Sequence, residues 1–162
     1  MENDVIKLVP ISIEMIDALL ISDEAFYRTY NLVNDAGEYL TPSSSYLPKI
    51  KDRMIAHPEE FPLAVDHLII LKENNIVIGT IYFKSLPIDG ISEIGYGMNP
   101  KYEGHLYMTN AVKMMIDYGK KNGIDVVKAD TLITNKKSQN VLLRNGFKIY
   151  QQDDKYLYFI KE

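Results

Sequence analysis

Apolar and polar positions along the chain change period several times, and each change marks a structural element. Residues 5–9 alternate like a half-buried strand. Ser12 then stands as a helix cap, with Glu14 in the first turn and Ile13, Ile16, Leu19 and Leu20 on one face. The Thr41-Pro42-Ser43-Ser44-Ser45-Tyr46-Leu47-Pro48 stretch reads as a surface loop between two helical pieces. A second helix is expected after Pro48, carrying Ile50, Met54 and Ile55 and ending before Pro58. Residues 67–72 and 76–84 predict two strands joined at Glu73-Asn74-Asn75. Pro87-Ile88-Asp89-Gly90 then turns the chain into a third, Ile91–Met98.

Past Asn99-Pro100 the period becomes helical. Met108, Ala111, Val112, Met115 and Ile116 form one apolar stripe, and Gly123 suits the position just beyond the helix end. Residues 125–133 predict a strand. Asn135 caps a short helix running through Arg144, and Gly146 closes it. Residues 147–150 and 156–160 predict two strands around an Asp153-Asp154 turn. This order predicts an α+β (mixed α/β) fold, one domain over residues 1–162, built on a single sheet.

Composition narrows the chemistry. The 162 residues include no Cys, which excludes disulfides, thiolate metal sites and a cysteine nucleophile. A net charge of −4 argues against a duplex-coating nucleic-acid binder. His57, His67 and His105 are scattered without metal-ligand spacing, so no metal is expected. Met1-Glu2-Asn3-Asp4 lacks the basic and apolar regions of a signal peptide, and the longest apolar runs are strand-sized. No membrane partner is expected, and the cytoplasm is the expected location.

Two stretches carry the functional signal. Ser92-Glu93-Ile94-Gly95-Tyr96-Gly97-Met98-Asn99-Pro100 leads through Lys101-Tyr102-Glu103-Gly104-His105 into the long helix. A strand feeding a glycine-containing loop and a helix start can form an anion site, because the first helical N–H groups lack internal partners. The same residues also suit a plain strand–turn–helix connection. The second stretch is Asn135-Lys136-Lys137-Ser138-Gln139-Asn140-Val141-Leu142-Leu143-Arg144-Asn145-Gly146-Phe147. Alone it is an ordinary short helix, whose cations Lys136, Lys137 and Arg144, with Lys148 just beyond, read as a solvated face.

Together, Glu-Ile-Gly-Tyr, Asn-Pro-x-Tyr-x-Gly and Asn-x-x-Ser-x-x-x-Leu-x-x-x-Gly-Phe resemble the GNAT superfamily of acyl-coenzyme A-dependent N-acetyltransferases. Within it, the chain resembles the branch of the ribosomal-protein alanine N-acetyltransferases and their small-molecule relatives. The resemblance implies an acyl-CoA N-acyltransferase-like fold, a bent mixed sheet with helices on both faces that splays open near Met98. Acetyl-coenzyme A would be the co-substrate, with no metal, and a peptide N-terminus or small-molecule amine the acceptor. Its arm would pair with the backbone of Tyr96, Gly97 and Met98. Its pyrophosphate would meet the N–H groups of Gly104, His105, Leu106, Tyr107, Met108 and Thr109. Asn135 and Ser138 would reach the far side of the arm.

The chain departs from that pattern in the phosphate loop. Glu103 replaces the usual Gln or Arg, Leu106 the usual Gly, and Met108 the usual Gly or Ala. Leu106 and Met108 are expected to put bulk where phosphate should rest, and Glu103 to add like charge. A catalytically silent module that binds or dimerises is therefore the alternative reading. For catalysis, Glu93 matches a strand glutamate that serves as general base in several members of the superfamily. Many relatives carry a Tyr where this chain has Leu142, which leaves Ser138 as the nearest proton donor for the leaving thiolate. A main-chain N–H near Gly97 or Met98, where glycine suggests a bulge, would polarise the carbonyl. Tyr46 is an acceptor-contact candidate. The terminal Tyr156-Leu157-Tyr158-Phe159 strand could pair across a homodimer.

Overall fold

A seven-stranded sheet, in the order β1-β2-β3-β4-β5-β7-β6, runs through the computed structural model, which describes residues 1–35 and 47–162. The strands are β1 (Ile6–Pro10), β2 (His67–Leu71), β3 (Val77–Phe83), β4 (Ile91–Met98), β5 (Val126–Leu132), β6 (Lys148–Gln152) and β7 (Tyr156–Lys161). The helices are α1 (Ile13–Ile21), α2 (Asp23–Thr29), α3 (Leu47–Ala56), α4 (Tyr107–Lys121) and α5 (Lys136–Arg144). Every neighbouring pair is antiparallel except β4 and β5. That parallel step needs a crossover, which α4 supplies. The mixed α/β architecture on one sheet is the one the sequence predicts.

Two apolar layers sandwich the sheet. On one face the α4 stripe of Ala111, Val112, Met115 and Ile116 packs with Ile69, Ile81, Phe83, Ile94, Val127 and Phe159. On the other, Met15, Ile16, Phe26, Leu47 and Met54 of α1–α3 pack over Leu68, Ile70 and Val77. β2 is buried at every position because it contributes to both layers, which is why its sequence does not alternate.

Several boundaries differ from the sequence expectation. The first helical stretch is two helices, broken at Ser22 (φ −171°, ψ 154°). Ser22 Oγ accepts from the Ala25 N–H at 3.0 Å, so Ser22-Asp23-Glu24 is a second cap with acids in its first turn. α3 begins at Leu47, not after Pro48, since proline in a first turn forfeits no helical bond. Tyr46, with the rest of the expected loop at 41–45, lies outside the described residues. The terminal strand β7 pairs with β5 on one side and β6 on the other, so it offers no edge to a partner copy. The sheet edge there is β6, exposed along its length.

Candidate active site

The sheet opens into a fork. β4 pairs with β5 only where Ile91, Ser92 and Glu93 meet Val126, Val127 and Lys128. Beyond that, β4 follows β3 as far as Met98, while β5 follows β7 as far as Leu132. Lys84 N–H donates to the Glu93 carbonyl at 2.8 Å, and Asn99 N–H to the Ile78 carbonyl at 2.9 Å. With the ladder in register from Ile94 to Met98, odd-numbered residues turn their backbone groups toward β3. The groups of Tyr96 and Met98 therefore face the gap, and those of Gly97 do not. No bulge interrupts the ladder at Gly97, contrary to expectation. Gly95 answers to packing: a Cβ there would come within 2.6 Å of the Tyr82 ring.

A cleft of about 440 Å³ occupies the fork. Tyr96, Gly97 and Met98 form one wall, and Asn135, Ser138, Asn140 and Val141 the opposite one. Gly104, Leu106, Tyr107, Met108 and Thr109 line the end where α4 begins. All the expected cofactor residues are thus brought together except His105, which lies outside the lining and stacks on Tyr107 at 5.3 Å between ring centroids.

The loop before α4 takes left-handed backbone at two positions, one of them not glycine. Gly104 has φ +85° with open space around a notional Cβ. Leu106 adopts the left-handed conformation (φ 62°, ψ 8°) and caps α4 without a side-chain bond. An L-residue pays roughly 1–2 kcal/mol for that geometry. The first N–H groups of α4 have no helical carbonyl to bond and carry the positive end of the helix dipole. Leu106 is 51% exposed. Met108 is 7% exposed and packs in the main core while also lining the end of the cleft, so most of its bulk is turned into the interior. Glu103 is paired with Lys137 of α5, which offsets its charge.

The α5 wall is locally well specified. Asn135 Oδ1 accepts from the Ser138 N–H at 3.1 Å, the cap the sequence predicts. Ser138 Oγ lies 2.9 Å from Tyr96 Oη. Leu142 is fully buried and contributes to the core. Asn145 Nδ2 donates to the carbonyls of Thr109 at 3.1 Å and Val141 at 2.9 Å, tying the start of α4 to the end of α5. Sequence reading missed this latch, and it assigned Lys137 and Arg144 to a solvated face although both line the cleft.

Glu93 sits at the apex of the fork but outside that lining, since side chains alternate along β4 and Tyr96 takes the opposite face. It pairs with Lys84 of β3's end and bonds Asp130 of β5, while Lys84 Nζ reaches Asp130 Oδ1 at 3.2 Å. Burial raises the Glu93 pKa, Asp130 raises it further, and Lys84 opposes both. Asp130 moves the other way, held low mainly by its hydrogen bond with Glu93, then by Lys84. Of the two carboxylates, Glu93 is therefore the more basic. A second hollow of about 390 Å³, lined by Ile50, Arg53, Asp66, Tyr82 and Lys84, opens beside this cluster beneath α3. Among the described residues no group of three or more His, Asp or Glu side chains is placed to hold a metal ion.

The family model for the acetyltransferase (GNAT) domain matches residues 6–148. The chain belongs to the GNAT acetyltransferase family. It is an acetyltransferase, and acetyl-coenzyme A is the co-substrate of GNAT enzymes. No curated protein matches the sequence. Solved structures share the fold. The ribosomal L7/L12 alpha-N-protein acetyltransferase RimL in complex with coenzyme A is 18% identical with TM-score 0.70, over 98% of this chain and 94% of that one. The ribosomal-protein-S5-alanine acetyltransferase from Vibrio fischeri is 19% identical with TM-score 0.70, over 99% and 94%. The microcin C7 self-immunity acetyltransferase MccE, in complex with acetyl-CoA and AMP, is 20% identical with TM-score 0.67, over 98% and 93%.

The residues of the fork suit that co-substrate. Unpaired backbone groups on β4 can bond an extended arm, and the uncapped start of α4 can take a pyrophosphate. Lys137 and Arg144 also line the cleft and could meet further phosphate charge.

Proposed function

We propose that this acetyltransferase acetylates a primary amine, either a protein N-terminus or a small-molecule amine. The observation that carries the reading is the fork itself, with free β4 backbone groups along one wall and an uncapped helix start at its end. The RimL and S5-alanine enzymes, which share this fold, act on ribosomal proteins, which favours an amine at a peptide N-terminus.

Acetyl-coenzyme A supplies an acyl group activated as a thioester. The chain's part is to hold and polarise it. Backbone groups of Tyr96 and Met98 pair with the arm, and the N–H groups at the start of α4 face the pyrophosphate, with Gly104 leaving room for close approach. The Met98 N–H, turned into the gap, is the donor aimed at the thioester carbonyl. Asn135 and Ser138 line the other side, where the Ser138 hydroxyl would be the hydrogen-bond donor for the departing sulfur. Glu93 accepts the ammonium proton, directly or through one water, from the face that also carries the second hollow. A carboxylate near 4.3 is a weak base for an amine near 8, and burial beside Asp130 moves Glu93 in the useful direction.

The test is a screen of amines and N-terminal peptides with thiol release from acetyl-coenzyme A as the readout. It is run beside thermal denaturation with coenzyme A. A ligand at a hundred times its Kd should add about 2.7 kcal/mol of apparent stability. The absence of both a stability shift at millimolar coenzyme A and thiol release with any amine would overturn the proposal.

A further inference from the structure

We propose that Tyr96 is a positioning residue that turns the Ser138 hydroxyl toward the departing sulfur; this rests on the acetyl-transfer reading above. Tyr96 Oη lies 2.9 Å from Ser138 Oγ and 3.3 Å from the Ser138 carbonyl oxygen, two acceptors for its single proton. These contacts join β4 to the first turn of α5 beyond the point where β4 and β5 stop pairing. They are therefore a cross-tie between the two walls of the cleft, and both residues line it.

Ser138 is constrained twice. Its N–H is taken by Asn135 Oδ1, which fixes the backbone, and its side chain rests against Tyr96. What remains free is the direction of the hydroxyl proton, and Tyr96 controls it. If the phenol proton goes to the Ser138 carbonyl, Ser138 must donate to the phenol oxygen and is lost to the cleft. If the phenol donates to Oγ, the shorter of the two contacts, the Ser138 proton is released to point into the cleft. Burial pushes the phenol pKa up to about 12, so it remains a donor across the working pH range.

In the transfer, the amine nitrogen bonds to the acyl carbon as the C–S bond breaks. The surplus ammonium proton leaves to Glu93 and then solvent. The sulfur departs as a thiolate that accepts the Ser138 hydrogen bond and takes its proton from solvent. Tyr96 undergoes no net change, which makes its role one of orientation.

The experiment compares wild type, Tyr96→Phe, Ser138→Ala and the double variant, by thiol release with the acceptor found in the screen and by calorimetric coenzyme A binding. Phe keeps the ring and its packing, and thermal denaturation checks that the fold is retained. Tyr96→Phe should lower kcat roughly tenfold, the share of one oriented hydrogen bond, with the KM for acetyl-coenzyme A and coenzyme A affinity within about twofold of wild type. The double variant should be no slower than Ser138→Ala alone, because Tyr96 acts through Ser138. A Tyr96→Phe variant as fast as wild type would overturn the assignment, as would an equal slowing in the wild-type and Ser138→Ala backgrounds. Both of those results leave acetyl transfer intact. A wild type that releases no thiol with any amine overturns the acetyl-transfer reading and this inference with it.

Discussion

Glu103, in the loop before α4, and Lys137, in the first turn of α5, form an ion pair that joins two walls of the cleft. Both side chains keep contact with solvent, at 32% and 78% exposure, so the pair adds little to folding stability. Its effect falls on ligand charge instead: a phosphate entering the cleft must compete with Glu103 for Lys137. Glu103→Gln should therefore tighten coenzyme A binding several-fold at low salt and leave the melting temperature within a couple of degrees. Lys137→Met should weaken binding by a similar factor. Calorimetric titration at two salt concentrations checks both, because the difference between variants should shrink as salt rises. Equal affinities for Glu103→Gln and wild type at low salt would show that the carboxylate does not compete.

Leu106 and Met108 both depart from the small-residue pattern, yet they should respond oppositely to truncation. Leu106→Gly removes a left-handed strain of about 1 kcal/mol and adds a comparable unfolded-state entropy cost, so stability should barely move. Coenzyme A affinity should be kept or improved, since 51% of Leu106 is exposed at the lining. Met108→Ala empties a core position and should cost about 2–5 kcal/mol. Denaturant melts of the two variants settle whether the bulk of Met108 belongs to the core.

The contrast shows what local sequence could and could not convey. The phase of α4 already places Met108 in the stripe with Ala111, Val112 and Met115, which is where it packs. Asn135, Gly123 and Gly146 announce helix ends through backbone chemistry that needs no tertiary partner, and the structure places all three at those ends. Ser22-Asp23-Glu24 carried an equally local cap signal, hidden inside an apolar run long enough to read as one helix. The meeting of Glu93 with Asp130, and of Glu103 with Lys137, depends on the parallel β4–β5 step and the α4 crossover. Those pairings are far apart in the chain and leave no mark on either segment. The position of β7 between β5 and β6 is of the same kind.

His67 makes stability depend on mild acid. It is 1% exposed, with Nδ1 2.9 Å from the Val65 carbonyl and its ring 6.1 Å from that of Tyr118. Burial lowers its pKa to about 4, against about 6.5 in the unfolded chain. Between those values the unfolded state binds the extra proton, so stability is complete above about pH 6.5 and falls toward pH 4. The loss from this group approaches 3 kcal/mol across the window. In His67→Asn the baseline will be lower, but the decline in melting temperature from pH 7 to pH 4 should be smaller. Parallel declines for the two proteins would mean that the imidazole is not the sensor.

Glu93 and Lys84 yield the sharpest kinetic expectation, because the same ion pair sets both the charge and the readiness of the proposed base. Glu93→Gln keeps the shape and removes the basicity. It should lower kcat by something like a hundred- to ten-thousand-fold while leaving coenzyme A affinity intact, since Glu93 does not line the cleft. The deficit should narrow as pH rises, because more acceptor then arrives deprotonated. Lys84→Met separates a base from a strand-holding carboxylate. Lys84 depresses the Glu93 pKa against the upward push of burial and Asp130, so removing it should raise that pKa. The acid limb of the kcat profile should then move to higher pH. Above that limb the rate should match or exceed the wild-type rate, the freed carboxylate being the stronger base. A Lys84→Met profile superimposable on wild type, together with a nearly normal Glu93→Gln rate at neutral pH, would assign both residues to holding β3, β4 and β5 together and nothing more.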